Sequence, residues 1–367
     1  MDDPSIYRSI LEHAVEGILI TGPDRRIEWV NPSFARITEY EAEDALGRNP
    51  SFLQSGLHEK RFFAELWDTL HRQDWWQGEI WNRRKSGDLF VESATIRALR
   101  DSDGRIAHYV SIFTDITERK VAERQFQKDL QLAKQIQQRV VSAPLCDDAI
   151  RIEAHYANSE ALGGDMYAWQ RIGPGRYGIF LMDVMGHGVA ASLVSMSVRS
   201  LLHGAMVRLD EPAEVLSELN RHMRGLYFRE RDRDIPMYFF TAIYLIADTK
   251  RQCIQYVNAG HPPAILLAPC GHARLLGEGC VPIGVLDDPE IRACRVSFEP
   301  GSRLLLYTDG LIEATGLSLQ DGIERLSRMA ADGRTESNDA FIARLAHALI
   351  GDRPHGDDIC IISASLR

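Results

Sequence analysis

The spacing of hydrophobic and polar residues changes along the chain and marks three blocks. In residues 1–118, alternating segments such as WQGEIWNR, LFVESATIRAL and IAHYVSIFTDIT are separated by the turn sequences KSGD and DSDG. Two turn-bounded hairpins in series predict an antiparallel sheet. The pair Asn31-Pro32 is typical of a helix start, with Asn31 as the N-cap. The first block is therefore expected to be α+β.

Residues 119–144 have a different period. The segment contains no Gly, has no Pro before Pro144, and consists mainly of good helix formers. Apolar side chains recur every three or four positions, at Ala122, Phe126, Leu130, Ala133 and Val140. Gln137 occupies the place where one further apolar residue would fall. The pattern predicts an amphipathic helix of about six turns, which either lies on its own domain or pairs with a second copy in a coiled coil.

Residues 145–367 contain strongly apolar segments that run into aspartate. Asp183 ends the segment YGIFLMD, Asp309 follows RLLLYT, and Asp357 stands just before ICIISASL. A fourth aspartate, Asp165, follows two glycines, which allow a tight backbone turn.

Carboxylates at the ends of buried strands cost free energy of folding unless their charge is compensated. The four aspartate motifs contain no Lys or Arg, so a divalent cation is the simplest compensation. Carboxylates without Cys or His ligands suit hard ions such as Mg²⁺ or Mn²⁺. Two such ions bridged by one carboxylate would activate a water for phosphoryl chemistry. The alternative is that each aspartate is a turn or capping residue.

Composition narrows the function classes. The chain has 367 residues with 42 Lys and Arg against 52 Asp and Glu, a formal net charge of −10, which disfavours a non-specific nucleic-acid binder. Its length predicts two domains. The six cysteines form no CxxC pair, so free thiols are expected rather than a zinc cage or a disulfide framework. Neither a secretory signal nor a long uncharged apolar segment is found, so we expect a cytoplasmic protein without a membrane partner.

Residues 1–118 resemble the PAS sensor family. The shared features are EGILIT, VNPSF, Leu46-Gly47-Arg48, WQGEIWNRRKSG and the closing DITERK. The resemblance implies a small antiparallel sheet with helices over one face. Such domains are often dimeric, so a homodimer through the PAS domain and the linker helix is expected. They also often sense a ligand.

The stretch GRNPSFLQSG is similar to flavin-binding PAS domains of the light-sensing and redox-sensing types. Light-sensing members have a reactive Cys after GRN, and Pro50 stands there in this chain, so flavin–thiol photochemistry is not expected. A bound flavin remains one alternative, with a pocket lined by Trp75, Trp76 and Trp81. Another is that these tryptophans belong to the core or to a dimer surface. A third is a haem held by His58, His71 or His108.

Six short motifs in the third block occur together in one order. They are GGD, DVMGHG, NAGHPP, VPIG, YTDGLIEA and DDIC. In this order they resemble the bacterial branch of the metal-dependent, PP2C-like protein phosphatases, which includes the stage II sporulation phosphatase and general-stress sigma regulators. The resemblance implies an α-β-β-α sandwich with two Mn²⁺ or Mg²⁺ ions between the sheets. It also implies direct attack of metal-activated water on phosphoserine or phosphothreonine.

The same resemblance assigns roles to single residues. Asp183 corresponds to the carboxylate that bridges both metals, and the carbonyl of Val184 to a backbone ligand. Asp309 and Asp357 correspond to ligands of one metal. Asp165 corresponds to the carboxylate that completes the other metal or orients its water. The domains so predicted are a PAS domain at 1–118, a linker helix at 119–144 and a PP2C-like phosphatase at 145–367.

The motifs also depart from the family pattern. Ala168 stands where many members have an acidic residue, and His187 is four residues after Asp183, so it is not assigned as a general acid. The charged run at 229–234 is expected to be a solvated loop. By family analogy the substrate is a phosphorylated STAS-type anti-anti-sigma protein in a partner-switching pathway. The alternative is a catalytically silent, phosphatase-shaped scaffold. A kinase is disfavoured because its nucleotide-binding motifs are missing.

Overall fold

The structure is a computed structural model that describes residues 4–227, 238–351 and 356–367. The charged run at 229–234 lies outside the described residues. The chain divides into two compact units, residues 1–128 and 129–367, and the division falls within one long helix, Thr117–Val140. The predicted bounds of 1–118, 119–144 and 145–367 treat that helix as a separate linker and stay a prediction.

The N-terminal unit is an antiparallel sheet with helices. Its elements are α1 (Pro4–His13), β1 (Gly17–Thr21), β2 (Ile27–Val30), α2 (Pro32–Thr38), α3 (Ala42–Ala45), a 3₁₀ turn (Pro50–Leu53), α4 (Lys60–Gln73), β3 (Trp75–Arg83), β4 (Leu89–Arg100) and β5 (Ile106–Asp115). The five strands lie in the order β2-β1-β5-β4-β3. The hairpins β3–β4 and β4–β5 turn at the two predicted turn sequences.

Asn31 joins the first strands to α2. Its Oδ1 accepts hydrogen bonds from the backbone N–H groups of Phe34, as the predicted helix cap, and of Ile18 in β1. Phe34 is fully buried and packs edge-on against Phe113 of β5. This cap therefore fixes where α2 begins and which side chain α2 buries against the sheet.

Helix α5 (Thr117–Val140) follows β5 and ends before Pro144. Most of its side chains are exposed, including Phe126, which is 57% exposed. Gln137, at 5% exposure, is the one buried residue of this helix. The amphipathic pattern correctly predicted the helix. Of its apolar positions, Ala122 and Phe126 are exposed, and Leu130, Ala133 and Val140 are partly buried.

The C-terminal unit contains the remaining elements in two runs. The first is β6 (Leu145–Cys146), β7 (Ile150–Ala157), β8 (Met166–Gly173), β9 (Arg176–Val184), α6 (Gly188–Arg208), α7 (Pro212–Tyr227), β10 (Phe240–Asp248) and β11 (Cys253–Ala259). The second is β12 (Ala264–Leu267), β13 (Ala273–Leu276), β14 (Gly279–Cys280), β15 (Cys294–Ser297), β16 (Arg303–Tyr307), α8 (Gly310–Glu313), α9 (Leu319–Asp332), α10 (Asn338–Leu349) and β17 (Ile359–Leu366).

These strands form two six-stranded sheets. The first has the order β14-β11-β10-β9-β8 with β15 beside β11, and the second has the order β13-β12-β16-β17-β7-β6. One apolar core joins the two sheets, a second lies between the first sheet and helices α6 and α7, and a third lies between the second sheet and helices α8, α9 and α10. The unit is therefore the α-β-β-α sandwich expected from the sequence.

Strand β9 shows why the central strands read as continuous apolar runs. Tyr177, Ile179 and Leu181 face the second sheet, whereas Phe180 and Met182 face the helices. Both faces of the strand are buried, so alternation between apolar and polar residues is lost. Asp183 follows with the parity of Leu181, which directs it into the space between the two sheets.

Helix α6 is the one helix of the described residues that is long and apolar enough, by length and composition alone, to cross a membrane. It is not an uncharged apolar segment, because it contains Arg199 and Arg208. In the structure Ala191, Val198 and Leu202 of this helix are fully buried in the core against the first sheet. Core helices of globular domains pass the same test of length and composition.

Candidate active site

Asp165 and Asp183 lie side by side at one edge of the first sheet. Strands β8 and β9 pair antiparallel with Met166 opposite Met182, so the next step of this register places Asp165 opposite Asp183. Both residues have the parity of side chains that face the second sheet. Asp165 is 2% exposed, and Asp183 is half-buried. The first sheet thus brings two of the four predicted aspartates together.

The second sheet supplies Asp309 and Asp357. Asp309 follows β16 and precedes α8, and Asp357 lies two residues before β17, the neighbouring strand. Between them, Gly310 approaches the carbonyl oxygen of Asp358 so closely that a Cβ atom at position 310 would clash with it. A glycine is required there because any side chain would push α8 away from β17.

The pKa values place these carboxyl groups in one cluster. Burial, followed by the charges of Asp309 and Asp357, raises the pKa of Asp183 to about 8. Burial first, and then the charge of Asp183, raises the pKa of Asp165 well above its usual range. The pKa of Asp357 is also raised, mainly by burial. Each carboxyl group therefore makes ionisation of its neighbours more costly, as expected of like charges in a partly buried site.

Ion pairs of the described residues do not reach three of these carboxyl groups. No Lys or Arg of the described residues forms an ion pair with Asp165, Asp183 or Asp309. The buried Oδ2 of Asp165 also has no hydrogen-bond partner among the described residues. An oxygen-rich site with an unsatisfied carboxylate fits a hard divalent cation.

The carbonyl of Val184 adds a further oxygen at the same place. Gly164 passes so near it that a Cβ atom at position 164 would lie 3.1 Å from the carbonyl oxygens of both Val184 and Gly186. In the part of the chain that the structure describes, no three His, Cys, Asp or Glu side chains converge as a ready-made metal site. Mg²⁺ is commonly held by one or two carboxylates with water and substrate phosphate, so this arrangement remains compatible with such an ion.

The side chain of Asp358, unlike that of its neighbour Asp357, accepts hydrogen bonds from the segment that precedes Asp165. Its Oδ1 accepts hydrogen bonds from the backbone N–H and the hydroxyl of Ser159, at 2.8 and 3.1 Å. Its Oδ2 accepts one from the N–H of Gly164 at 2.7 Å. The Asp358 side chain is 3% exposed and ties the glycine turn before Asp165 to the start of β17.

Sequence reasoning missed two side chains near the cluster. Glu313 lies one helical turn after Asp309, and burial followed by the charges of Asp309 and Asp357 raises its pKa. Gln137 of α5 hydrogen-bonds the backbone of Gly163. The sequence did mark Gln137, because a polar side chain at an apolar position of the helix pattern indicates a buried hydrogen bond. The motif containing Glu313 gave no separate signal.

The structure places the remaining motif residues outside the cluster. The Nδ1 of His187 pairs with Glu160 at 2.9 Å, and both side chains are exposed. His261 is buried, contacts the hydroxyl of Thr241 through Nδ1, and has its pKa lowered to about 3 by burial. Ala168 lies in the apolar layer under α6, so its lack of a carboxyl group does not remove a charge from between the sheets.

The N-terminal unit contains a cavity of about 180 Å³. Pro50 and Trp67 are among its lining residues, whereas Trp75, Trp76 and Trp81 are not, so the predicted tryptophan lining is wrong. All three lie on β3, where Trp75 is 43% exposed and Trp76 packs edge-on against Phe62. The polar lining residues are Thr21, Arg25, Asn49, Ser51, Gln54, Asn82, Glu92, Tyr109 and Ser111.

The three histidines proposed for a haem have other surroundings. The Nε2 of His58 accepts a hydrogen bond from the backbone N–H of Trp81 at 2.8 Å, which occupies the atom that would bind iron. His71 is exposed on α4, and the Nε2 of His108 lies 3.3 Å from Glu28 at the surface. None of the three lines the cavity.

Comparison with known families identifies both units. The model of the family "Stage II sporulation protein E" matches residues 173–367, more than half of the chain. The chain belongs to this family. The match includes Asp183, Asp309 and Asp357, whereas Asp165 precedes it. A PAS domain model matches residues 15–118, so both resemblances inferred from the motifs are confirmed.

Individual relatives cover parts of the chain. The phosphoserine phosphatase RsbP of Bacillus subtilis (strain 168) is 38% identical over 188 residues, which are 51% of this chain and 46% of that protein. The nitrogen fixation regulatory protein of Klebsiella oxytoca is 26% identical over 145 residues, 40% of this chain and 29% of that protein. The chain therefore spans about half the length of the first relative and less of the second.

A solved structure supports the fold of the C-terminal unit. The SiaA-PP2C domain of Pseudomonas aeruginosa superposes with a TM-score of 0.56 at 25% identity, over 67% of this chain and 99% of that domain. This chain thus combines a PAS domain with a C-terminal unit of PP2C-type fold.

Proposed function

We propose that this chain is a metal-dependent protein serine/threonine phosphatase controlled by its PAS domain. The observation that carries the proposal is the cluster of Asp165, Asp183, Asp309 and Asp357 at neighbouring strand ends of two facing sheets. Burial and mutual repulsion make this cluster costly in the absence of cations. Structural aspartates in turns would not need to be gathered in this way.

The four aspartates and the carbonyl of Val184 would hold two Mn²⁺ or Mg²⁺ ions. When bound, such ions lower the pKa of water and neutralise charge on a phosphoryl group. Asp183, between its neighbours from both sheets, would face both ions. Asp165, whose Oδ2 has no other partner among the described residues, would orient the attacking water or complete one ion's ligands.

The substrate we propose is a phosphoserine or phosphothreonine of a STAS-type anti-anti-sigma protein in a partner-switching pathway. Support comes from the relative named as a phosphoserine phosphatase, which matches about half of the chain. We also propose that the protein acts in the cytoplasm. The site itself is open enough for a protein substrate, since Met185, Val189 and Leu193 beside it are all at least 42% exposed.

Two further proposals concern the N-terminal unit. A homodimer through the PAS domain and α5 would cover Val121, Phe126, Leu132 and Ile136, which are all at least 50% exposed. A flavin in the cavity would find amide side chains at Asn49, Gln54 and Asn82. The visible absorbance of the purified protein tests the flavin, and its mass in solution tests the dimer.

Hydrolysis of a small aryl phosphate tests the phosphatase proposal. The full chain is assayed with EDTA, Mg²⁺ or Mn²⁺, together with Asp183→Asn, Asp309→Asn and, as a matched control, Asp332→Asn on the exposed end of α9. We expect metal-dependent turnover in the wild type and the control. Loss of a carboxylate that holds catalytic metal should lower turnover by about 10³-fold, equivalent to several kcal/mol of transition-state stabilisation.

A second candidate function is a phosphatase-shaped scaffold that binds a phosphoprotein without turnover. It is favoured by one observation, that no three His, Cys, Asp or Glu side chains of the described residues have an arrangement ready to hold a metal ion. Absence of turnover with Mn²⁺ on both the aryl phosphate and a phosphoserine peptide would favour the scaffold. Equal turnover of Asp183→Asn and wild type would contradict the proposed metal site.

A further inference from the structure

Helix α5 reaches the acidic cluster through one side chain. Gln137 is the buried residue of a helix whose other side chains are mostly exposed. Its Nε2 donates a hydrogen bond to the carbonyl oxygen of Gly163 at 2.7 Å, and its Oε1 accepts one from the Gly163 N–H at 3.3 Å. The side-chain amide therefore satisfies both polar groups of a single peptide residue, two positions before Asp165.

The backbone at Gly163 is confined on its other side. A Cβ atom at position 163 would clash with the Asp358 carboxylate and the Tyr156 hydroxyl. The hydroxyl of Tyr156 also donates to the carbonyl oxygen of Asp165 at 2.9 Å. The turn that carries Asp165 is thus held between the second sheet and Gln137.

The segment that follows α5 holds the strand on the far side of Asp165. The hydroxyl of Ser142 accepts from the N–H of Trp169 at 2.9 Å and donates to its carbonyl oxygen at 3.1 Å. The indole N–H of Trp169 donates to the carbonyl of Ala143 at 2.9 Å. Residues 137–143 therefore contact the backbone both before and after Asp165.

We propose that Gln137 is a positioning residue that fixes the direction of the Asp165 carboxylate for a divalent cation. The inference rests on the proposed metal-dependent function and names a determinant of the same site. A polar side chain at a buried helix position is costly unless it is hydrogen-bonded. Here the hydrogen bonds go to the turn that carries Asp165. An apolar residue would fit the helix pattern equally well but would leave the Gly163 N–H and carbonyl without these partners.

Gln137 lies near the C-terminal end of α5, in the part of the helix that belongs to the C-terminal unit. Helix α5 is continuous from Thr117 to Val140, and the division between the two compact units falls within it. A rotation or shift of the C-terminal part of α5 would have to break or carry along the hydrogen bonds to Gly163. Metal affinity at Asp165 is therefore the property through which a change in α5 would reach the site.

The test compares Gln137→Met with Gln138→Met in the full chain. Methionine matches glutamine in length and keeps the packing but makes neither hydrogen bond, and Gln138 is the exposed neighbour on the same helix. Mn²⁺ binding is measured by calorimetric titration, and the melting temperature of each metal-free protein is measured alongside. We expect Gln137→Met to weaken Mn²⁺ binding roughly tenfold, the effect of about one or two lost hydrogen bonds, and Gln138→Met to bind like wild type.

Turnover of an aryl phosphate supplies a second measurement. The Gln137→Met variant should need roughly tenfold more Mn²⁺ for half-maximal rate, while its rate at saturating Mn²⁺ approaches that of wild type. Should Gln137→Met fail to fold, Gln137→Glu keeps the length and an acceptor for the Gly163 N–H but lacks the donor to its carbonyl. This variant should also bind Mn²⁺ more weakly.

Several results would overturn the inference. One is unchanged Mn²⁺ affinity in Gln137→Met with only its melting temperature lowered, since that describes a purely structural contact. Equal loss of affinity in Gln138→Met is another, and a wild type that binds no Mn²⁺ is a third. A wild type that binds Mn²⁺ through Asp183 but hydrolyses no phosphate would refute the phosphatase proposal alone, because the affinity comparison needs no turnover.

Discussion

The two units each bury an acidic site, and the surroundings of the two sites differ. In the N-terminal unit Glu92 lies at the wall of a cavity, and burial raises its pKa to about 8. In the C-terminal unit burial, with the charges of Asp309 and Asp357, raises the pKa of Asp183 to about 8. Each site contains a buried carboxyl oxygen that has no hydrogen-bond partner among the described residues, in Glu92 and in Asp165.

Similar pKa values therefore arise from different causes. The pKa of Glu92 is raised mainly by burial and to a smaller extent by the charge of Asp115, and a hydrogen bond with Asn82 lowers it. A buried carboxyl group of this kind becomes neutral by keeping its proton. The aspartates also repel one another, so a cation relieves several penalties at once. The comparison predicts that divalent metal changes the stability of one unit and not of the other.

The largest expected effect is that of Mn²⁺ on thermal stability. At Mn²⁺ concentrations about 100-fold above its dissociation constant, binding stabilises the folded state by roughly 2.7 kcal/mol, which raises the melting temperature of a domain of this size by about 5–10 °C. Asp183→Asn should lose most of this rise. Calorimetric scans with EDTA and with Mn²⁺ measure it.

The control for this experiment is Asp332→Asn, which should respond to Mn²⁺ as the wild type does. The metal-free Asp183→Asn protein should be at least as stable as metal-free wild type at pH 8, because one member of a repulsive cluster has been removed. A full Mn²⁺ response in Asp183→Asn would break the comparison, since the cluster would then not be the metal site.

A smaller effect is expected from crowding of the backbone at the acidic site. Gly310→Ala places a Cβ atom against the carbonyl oxygen of Asp358, so it should destabilise the C-terminal unit by about 1–3 kcal/mol. Gly204 is the matched control, because it lies exposed within α6 with open space around its missing Cβ. Gly204→Ala should stabilise by about 0.5–1 kcal/mol through higher helix propensity.

Denaturant unfolding of both glycine variants in the absence of metal measures these differences. The opposite signs of the two changes in unfolding free energy matter more than their sizes, because glycine is replaced by alanine at both positions. If Gly310→Ala is neutral, α8 can move away from β17 without cost, and the close approach of Asp309 to Asp357 is not fixed by the backbone.

Much of the acidic site was predictable because its signals are local. Each of the four aspartates follows or precedes an apolar segment or a glycine turn. The alternation of side chains along a strand then indicates which face of the sheet an aspartate at the strand end occupies. The sandwich followed from six motifs in a known order. Local sequence also located the cap at Asn31 and both hairpin turns of the N-terminal unit.

The cavity and the contact of Gln137 were not predictable in this way. Which aromatic residues line a cavity depends on how α4 packs on the sheet. Trp67 of α4 lines the cavity, as do Ile80 and Asn82 of β3, but Trp75, Trp76 and Trp81 of the same strand do not. The partner of Gln137 is 26 residues away in a turn, and hydrogen bonds of that kind carry no periodic signal. The polar residue in the helix pattern marked the position but not its partner.

The last expected effect belongs to Glu92, and it depends on pH rather than on metal. Its pKa in the folded chain is raised from 4.5 to about 8, so the folded state keeps a proton that the unfolded chain loses as pH rises above 4.5. The contribution of Glu92 to the free energy of unfolding is therefore lost progressively between pH 4.5 and about 8, by an amount on the order of a few kcal/mol. Glu92→Gln removes this titration, so its stability relative to wild type should rise with pH across that window.

Urea unfolding of the N-terminal unit at several pH values between 5 and 8 measures this difference, with Glu43→Gln, an exposed glutamate of the same unit, as the control. Equal pH slopes in Glu92→Gln and wild type would mean that the carboxyl group ionises in the folded cavity. Mn²⁺ should leave the Glu92→Gln difference unchanged, whereas it should remove the pH dependence that Asp183 contributes. A Mn²⁺-sensitive slope at Glu92 would show that the cavity also binds cations, and the contrast between a proton-neutralised acid and a metal-neutralised cluster would then fail.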